Sequence, residues 1–257
     1  METLSVITIC FNNLNALQQT CASVDSQTLA PYEHYIIDGS NNDTISHWLQ
    51  HTPQPKYRKW LCEKDKGISD AFNKGIALAS GSLIHLLNAA DIYNSAEVIE
   101  KVLSFFNQTP SIQWMSGNIQ LKRAGIWVTI GVPFDRQQLY KGMRAVSHPT
   151  WFVKKELYNK VGGYSLDIKI AMDYDLLCRL KNEPYGYFNE TIVKFDDGGI
   201  STHQYLNSLK ENNRVYESHF GFSLASRLWQ CRLYILYYLL KSKWGKYLYA
   251  LKAGQHS

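Results

Sequence analysis

Residues 82–91, Ser82-Leu-Ile-His-Leu-Leu-Asn88-Ala89-Ala90-Asp91, set the reading of the chain. Leu83, Ile84, Leu86 and Leu87 make a short apolar run after Gly81, the pattern of a buried strand. The run ends in polar residues and an acid, Asp91, where an α/β strand meets its loop. Ligands of open α/β sheets lie in the crevice beyond the carboxyl ends of the strands. A carboxylate there can hold a divalent cation, and the cation can hold a diphosphate. The same four residues, Asn88 to Asp91, also read as a plain turn leading to a helix cap.

Upstream, strand and helix patterns alternate. Leu4 to Phe11 is β-branched and apolar, and Asn12-Asn13-Leu14-Asn15 opens a helix to about Gln27. Tyr35-Ile36-Ile37 is a second strand, ending in Asp38-Gly39, with Asx residues after it that can cap the next helix. Lys59 to Cys62 is a third strand. A helix from about Ser69 to Ala79 closes at Gly81, read as its C′ residue. Asn94 and Glu97 have capping-box spacing before an apolar-periodic helix, Val98 to Phe106. The alternation predicts an α/β fold with a mostly parallel, doubly wound sheet and helices on both faces.

The pattern changes after residue 110. Gln113 to Leu121 and Ile126 to Gly131 read as an antiparallel pair, followed by a short helix near Asp135 to Lys141. His148 to Val153 reads as extended, Lys154 to Val161 and Ala171 to Leu180 as helices, and Val193-Lys194-Phe195 as a last strand. From about Asn207 the chain reads as helical.

Composition narrows the class. The 257 residues are 45% hydrophobic, enough for one sizeable core. The charge of +5 suits an anionic substrate or membrane surface. Five scattered cysteines, without Cys-x-x-Cys, argue against a zinc site or disulfide framework and for a reducing compartment. The first residues read as a strand rather than a signal peptide, and no apolar run reaches the roughly 18 residues that span a bilayer. The first turn lacks Gly-x-Gly-x-x-Gly, and there is no Walker Gly-Lys-Ser/Thr.

Asp38, Asp65 and Asp91 follow the second, third and fourth strands, so a parallel sheet brings all three to one edge, the pattern of a nucleotide crevice. Asp173 and Asp175 stand about 200° apart around a helix and cannot face one site. Asp175 and Arg179, at i and i+4, can pair, which leaves Asp173 for the crevice.

Four motifs in order, Asp38-Gly-Ser-x-Asn-Asp-Thr44, Glu63-x-Asp65-x-Gly67-Ile-x-Asp70-Ala-x-Asn73-Lys-Gly75, Leu87-Asn-Ala-Ala-Asp91 and Ala171-Met-Asp173-Tyr-Asp175-Leu, resemble the family-2 glycosyltransferases. The resemblance covers roughly residues 1 to 200. It implies the GT-A fold, a nucleotide-sugar donor (a UDP-sugar foremost), Mn²⁺ or Mg²⁺, and inverting transfer to a saccharide or lipid-linked saccharide, of the kind that builds bacterial surface polysaccharides. It implies a GT-A domain over 1–203, with a nucleotide-binding half 1–92 and an acceptor half 93–203, and a helical extension over 204–257.

Carried over by position, Asp38, Asp65, Gly67, Asp70, Asn73, Lys74 and Asn88 resemble donor-binding residues, Asp91 the metal-binding acid and Asp173 the catalytic base. Lys66 and Lys74 could meet phosphates or stand solvated. His148 and Trp151 are candidates for acceptor or diphosphate contact, and His203 for a late metal ligand. The usual motif ends in two acids. Here Ala90 replaces the first, leaving open an alternative: a nucleotide-sugar-binding protein with impaired or lost turnover. The Gly-rich basic loop that a nucleotidyltransferase of related fold uses is absent after Phe11, which disfavours that reading, and no nucleic-acid partner is expected.

The segment Arg227 to Tyr249 mixes Lys and Arg with Trp, Tyr and Leu. Interfacial helices are built this way, and so are helices packed on a protein body. These features lead to an expectation of a cytoplasmic protein, at the inner face of the membrane if the tail binds there.

Overall fold

A computed structural model describes residues 2–123, 126–143, 146–194 and 204–242. Among the described residues nine strands form one sheet, in the order β3 (Arg58–Cys62), β2 (Glu33–Asp38), β1 (Leu4–Cys10), β4 (Leu83–Leu86), β8 (Phe152–Lys154), β6 (Trp114–Arg123), β9 (Tyr185–Lys194) and β5 (Ile92–Tyr93), with β7 (Ile126–Ile130) attached to β6. The first half is parallel: β1 (Leu4–Cys10), β2 (Glu33–Asp38), β3 (Arg58–Cys62) and β4 (Leu83–Leu86). The apolar runs of β1 and β4 have few polar breaks because both strands are buried in the middle of the sheet, whereas the edge strand β3 is largely exposed. Successive side chains point to opposite sides. Ile36 thus packs with Leu17 of α1 (Leu14–Asp25) and with Ile45 and Leu49 of α2 (Thr44–His51). Ile37 packs with Phe72 and Ile76 of α3 (Ile68–Leu78). At residue 75 a Cβ would stand 2.4 Å from Ile7 Cγ2, so only glycine lets α3 approach β1 this closely.

Beyond β4 the sheet is mixed. The two-residue β5 (Ile92–Tyr93) precedes α4 (Val98–Gln108). Next come β6 (Trp114–Arg123), β7 (Ile126–Ile130), β8 (Phe152–Lys154), α5 (Lys155–Val161), α6 (Met172–Leu180) and β9 (Tyr185–Lys194). β8 runs antiparallel to both β4 and β6, while β6 and β9 pair in parallel. Two helices end the described chain, α7 (Tyr205–Phe220) and α8 (Leu224–Lys241).

Several local expectations change. His148–Thr150 is a 3₁₀ turn, with Pro149 pre-set for its start, rather than extended chain. β9 begins at Tyr185, eight residues before the stretch that reads as a strand, because polar Asn189 and Glu190 mask its pattern. Glu97 is the N-cap of α4 without a side-chain cap bond, so no capping box forms. Gly81 is not the C′ residue of α3, whose C-cap is Ala79. Its glycine has another cause: a Cβ there would stand 2.5 Å from Ser5 Oγ.

Glu33 ties the rim of the sheet opposite the strand ends that carry the acids. Its buried carboxylate accepts from Ser5 Oγ at 2.6 Å, Ser80 N at 2.5 Å, Ser80 Oγ at 2.9 Å and Lys59 Nζ at 2.9 Å. Burial alone would raise its pKa, but the Lys59 ammonium and the hydroxyl and amide donors outweigh burial and hold it down at about 2. A depressed folded pKa adds stability above the unfolded value, about 4.3, and that stability is lost as pH falls toward 2. Glu33→Gln is therefore expected to cost about 2 kcal/mol at pH 7 and to flatten the stability–pH curve between those two values. Urea denaturation at pH 7 and pH 3 measures both.

Candidate functional site

The carboxyl ends of the four parallel strands share one rim. Asp38 closes β2 with its carboxylate buried, where Oδ1 accepts from Ser40 N at 3.0 Å and Ser40 Oγ at 2.5 Å. Asn12, in a left-handed conformation with φ of 52°, knits the loops after β1 and β2. Its Oδ1 accepts from Asn41 N at 3.1 Å and Asn42 Nδ2 at 3.0 Å. Asp38, Ser40, Asn42 and Cys62 line an open cleft of about 540 Å³. Asp65 reaches the same rim. Its Oδ1 accepts from Gly67 N at 2.9 Å, and its Oδ2 lies where a side chain at residue 39 would be, 1.8 Å from an ideal Cβ. Gly39 thus admits the carboxylate of Asp65 to the end of β2.

Three of the donor-site candidates make contacts within the framework. Asp70 Oδ2 accepts from Lys66 N at 2.9 Å. Lys74 Nζ donates to Lys64 O at 2.8 Å and pairs with Glu63 at 2.9 Å and Asp70 at 3.4 Å. Together they fold the 63–67 loop that carries Asp65. Asn73 is committed to Tyr164, accepting from its N–H at 2.7 Å and donating to its carbonyl at 2.8 Å. Gly163 leaves room for that amide, since a Cβ there would stand 2.3 Å from Asn73 Oδ1.

Residues 88–91 do form a turn, closed by Asp91 N donating to Asn88 O at 3.0 Å. The third residue, Ala90, has φ of 81°, as in a type II turn, where glycine or asparagine is the usual occupant. A strand, β5, follows it rather than a helix. The turn rests on α1: Ala90 N donates to Ala16 O at 3.3 Å, and Thr20 Oγ1 donates to Asp91 O at 2.9 Å. Asp91 is buried, and Asn88 Oδ1 is buried with no hydrogen-bond donor among the described residues. An amide oxygen and a carboxylate three residues apart are the oxygen donors that a hard divalent cation prefers. No cluster of three or more His, Cys, Asp or Glu able to hold a metal occurs among the described residues, and His203 lies outside them.

A second cleft, of about 400 Å³, brings Asn88, His148 and Asp173 together. The junction of β4 with β8 makes this so. His85 of β4 stacks on Phe152 at 4.0 Å, and its ring nitrogens bond Tyr93 Oη at 2.8 Å and Pro149 O at 2.9 Å. Burial drives its pKa down to about 3, so it is a neutral strut that fixes Pro149, and with it His148. His148 Nε2 bonds Tyr164 Oη at 2.6 Å and lies 3.8 Å from Asp173 Oδ1. Burial lowers the pKa of His148 and raises that of Asp173, while the charge of each partner works against its own shift. Asp173 keeps about a third of its side chain open. Trp151 does not line the cleft. It is buried edge-on against Trp114 at 5.6 Å, which removes it as an acceptor platform.

Asp175 takes the other role. Its Oδ2 accepts from Arg179 Nη2 at 2.8 Å, and its Oδ1 bonds His219 Nε2 of α7 at 2.8 Å. The His219 contact joins residues 44 positions apart, which no local pattern announces. Glu211 of α7 carries no sequence signal either. Its carboxylate accepts from the N–H groups of Lys169, Ile170 and Ala171 at 3.0, 2.5 and 2.7 Å. These residues lead directly into the helix that presents Asp173, and α7 also lends Ser208 and Asn212 to the cleft wall.

Residues 5–162 match the family model described as glycosyl transferase family 2. An uncharacterized glycosyltransferase of Mycobacterium tuberculosis is 33% identical over 206 residues, covering 79% of this chain and 78% of its own. A PGL/p-HBAD biosynthesis glycosyltransferase of Mycobacterium bovis is 25% identical over 199 residues, 74% of this chain and 75% of its own. Among solved structures, TarS of S. aureus in complex with UDP-GlcNAc aligns with a TM-score of 0.63 at 15% identity, over 83% of this chain and 65% of that one. The chain spans 40% of a longer TarS chain. A mannosyltransferase from Pyrobaculum calidifontis, in complex with GDP-Man and Mn²⁺, aligns with a TM-score of 0.61 at 13% identity, over 99% of this chain and 80% of that one. These likenesses establish the GT-A fold.

Glu211→Ala leaves three N–H groups without their acceptor. It is expected to cost about 2 kcal/mol in thermal or urea denaturation. Hydrogen exchange should accelerate at residues 169–171 while the β1–β4 core keeps its protection.

Proposed function

The chain belongs to glycosyl transferase family 2, and on that premise we propose that it moves a sugar from a nucleotide-sugar donor, a UDP-sugar foremost, to a saccharide or lipid-linked saccharide acceptor with inversion. As a member of that family the chain is a transferase. The donor reading draws support from the TarS complex with UDP-GlcNAc and from the acids on the strand rim. The biosynthetic role, in bacterial surface polysaccharides, accords with the relative named for PGL/p-HBAD biosynthesis. We read Asp38 and Asp65 as the nucleotide contacts, with Gly67 shaping the loop. Asp70, Asn73 and Lys74 then hold that frame, and Asn88 lies between the donor rim and the acceptor cleft.

One observation carries the assignment of the base. Asp173 shares a cleft with Asn88 and His148 and, among the described residues, has no ion-pair partner closer than His148 at 3.8 Å, whereas Asp175 is tied to Arg179 and His219. Inverting transfer needs a carboxylate to take the proton of the acceptor hydroxyl as that oxygen attacks the anomeric carbon and the diphosphate leaves. A base is stronger when its pKa is raised toward the working pH, and burial raises that of Asp173. His148, kept neutral by burial, can orient the acceptor hydroxyl or the Asp173 carboxylate. Mn²⁺ or Mg²⁺ would be held by Asp91 with Asn88, the rest of its shell coming from diphosphate and water, and would neutralise the leaving group. The division at residue 203 stands as a working boundary, with α7 functionally part of the transferase. The basic, aromatic tail supports a site of action at the inner face of the membrane.

Asp173→Asn is expected to lower kcat by about 10³-fold, with the nucleotide Kd within about threefold of wild type by calorimetry. Because the carboxylate must be ionised, wild-type kcat/KM should fall on the acid side through a pKa above the ordinary aspartate value. Normal turnover by the variant contradicts the assignment.

Ala90→Asp tests whether one acid suffices. Aspartate tolerates the left-handed backbone at residue 90 better than alanine, so stability should hold or rise. Mn²⁺-dependent nucleotide affinity should change by less than about threefold, since Mg²⁺-type sites commonly use one or two carboxylates. A large gain would mark the natural site as impaired.

A further inference from the structure

The two sides of α8 differ in what they meet. Ser226 and Gln230 are buried, Tyr237 stacks on Tyr205 of α7 at 5.5 Å, and Lys141 lies over the Trp229 ring at 5.3 Å. This side rests on α7 and on the 3₁₀ turn Arg136–Lys141. At 100° per residue, Leu224, Leu228, Cys231, Ile235 and Leu239 fall within about 80° of one another on the opposite side. All five are exposed; Leu228 and Ile235 each leave more than 60% of their surface open. Arg227, paired with Glu217 at 2.6 Å, and Arg232 border this stripe, and Lys241 ends the helix.

The charge of the whole chain points the same way. From Ser218 to the C-terminus there is not one of the 22 acids, but six of the 27 Lys and Arg. The preceding residues balance to within one charge, so the excess of +5 belongs to this segment. A second copy meeting the stripe would bring its own cationic border against the first. An anionic lipid surface complements both the apolar stripe and its border. No described helix is long and apolar enough to cross a membrane.

We propose that the outward stripe of α8 is the docking surface for an anionic lipid bilayer, with Leu224, Leu228, Ile235 and Leu239 at the acyl boundary and Arg232 and Lys241 at the headgroups. Docking through α8 holds α7, and so the wall of the Asp173 cleft, close to the lipid. The inference rests on the membrane placement above and on no step of sugar transfer.

The test uses the full-length chain with vesicles of phosphatidylcholine alone or with about a third phosphatidylglycerol. A Cys62→Ser background leaves Cys231 as the exposed thiol among the described residues, ready for an environment-sensitive dye. The dye should shift to the blue, and the chain co-sediment, only with the anionic vesicles. Both effects should weaken at least tenfold in high salt or on Leu228→Glu with Ile235→Glu, both exposed positions. Circular dichroism and Tm should match wild type. Absence of binding, binding without a dye response, or unchanged binding of a folded double variant overturns the proposal. So does a dimer that the double variant abolishes in a chain that ignores vesicles. Should the double variant misfold, the dye and lipid comparison decides alone. Vesicle binding by a wild-type chain, with Cys62 in place, that shows no transferase activity would refute the sugar-transfer reading and leave the docking surface in place.

Discussion

The antiparallel junction of β4 with β8 governs the rest of the molecule. β4 is the last strand of the parallel half and leads to the Asn88–Asp91 turn, while β8 follows the 3₁₀ turn that contains His148. Pairing these two strands in opposite directions brings the exit of one beside the entry of the other. His85 secures that arrangement with a neutral ring that bonds Tyr93 on one side and Pro149 on the other. A charged imidazole there would be costly to bury, and burial keeps it neutral. The strand-end rim of Asp38 and Asp65 and the cleft of His148 and Asp173 meet because this seam lets them.

The Asp173 cleft is held from outside its own sequence neighbourhood. Asn73 of α3 clasps Tyr164, whose hydroxyl bonds His148, and Glu211 and His219 of α7 hold the two flanks of α6. Asp173 is left as the acid that these contacts do not use. α7 in turn carries α8, so one chain of packing runs from the Asp173 carboxylate to an exposed apolar face at the end of the described chain.

The parallel half was readable because its cues are local. Alternating apolar runs mark the strands, and parallel order alone delivers Asp38, Asp65 and Asp91 to one edge. Asp175 could be separated from Asp173 by helical geometry and a partner four residues away. Asp70 and Lys74, at the same spacing, also pair, and their contacts support the 63–67 loop. What remained hidden depends on long-range contact. The commitment of Asn73 spans 91 positions, and that of Glu211 about 40. Trp151 carries an aromatic signal in the sequence, but only packing against Trp114 tells that it faces inward. Ala90 reads as a missing acid; its left-handed backbone emerges only with the turn.

The account stands on a donor whose anomeric carbon lies between the Asn88–Asp91 turn and Asp173. A crystal structure of the chain soaked with a UDP-sugar and Mn²⁺, read for the anomalous signal of the metal, tests this directly. The account predicts the metal peak on the Asp91 carboxylate, the nucleotide along Asp38 and Asp65, and the sugar turned toward Asp173. A metal peak away from Asp91, or a sugar whose anomeric carbon faces away from Asp173, would contradict it.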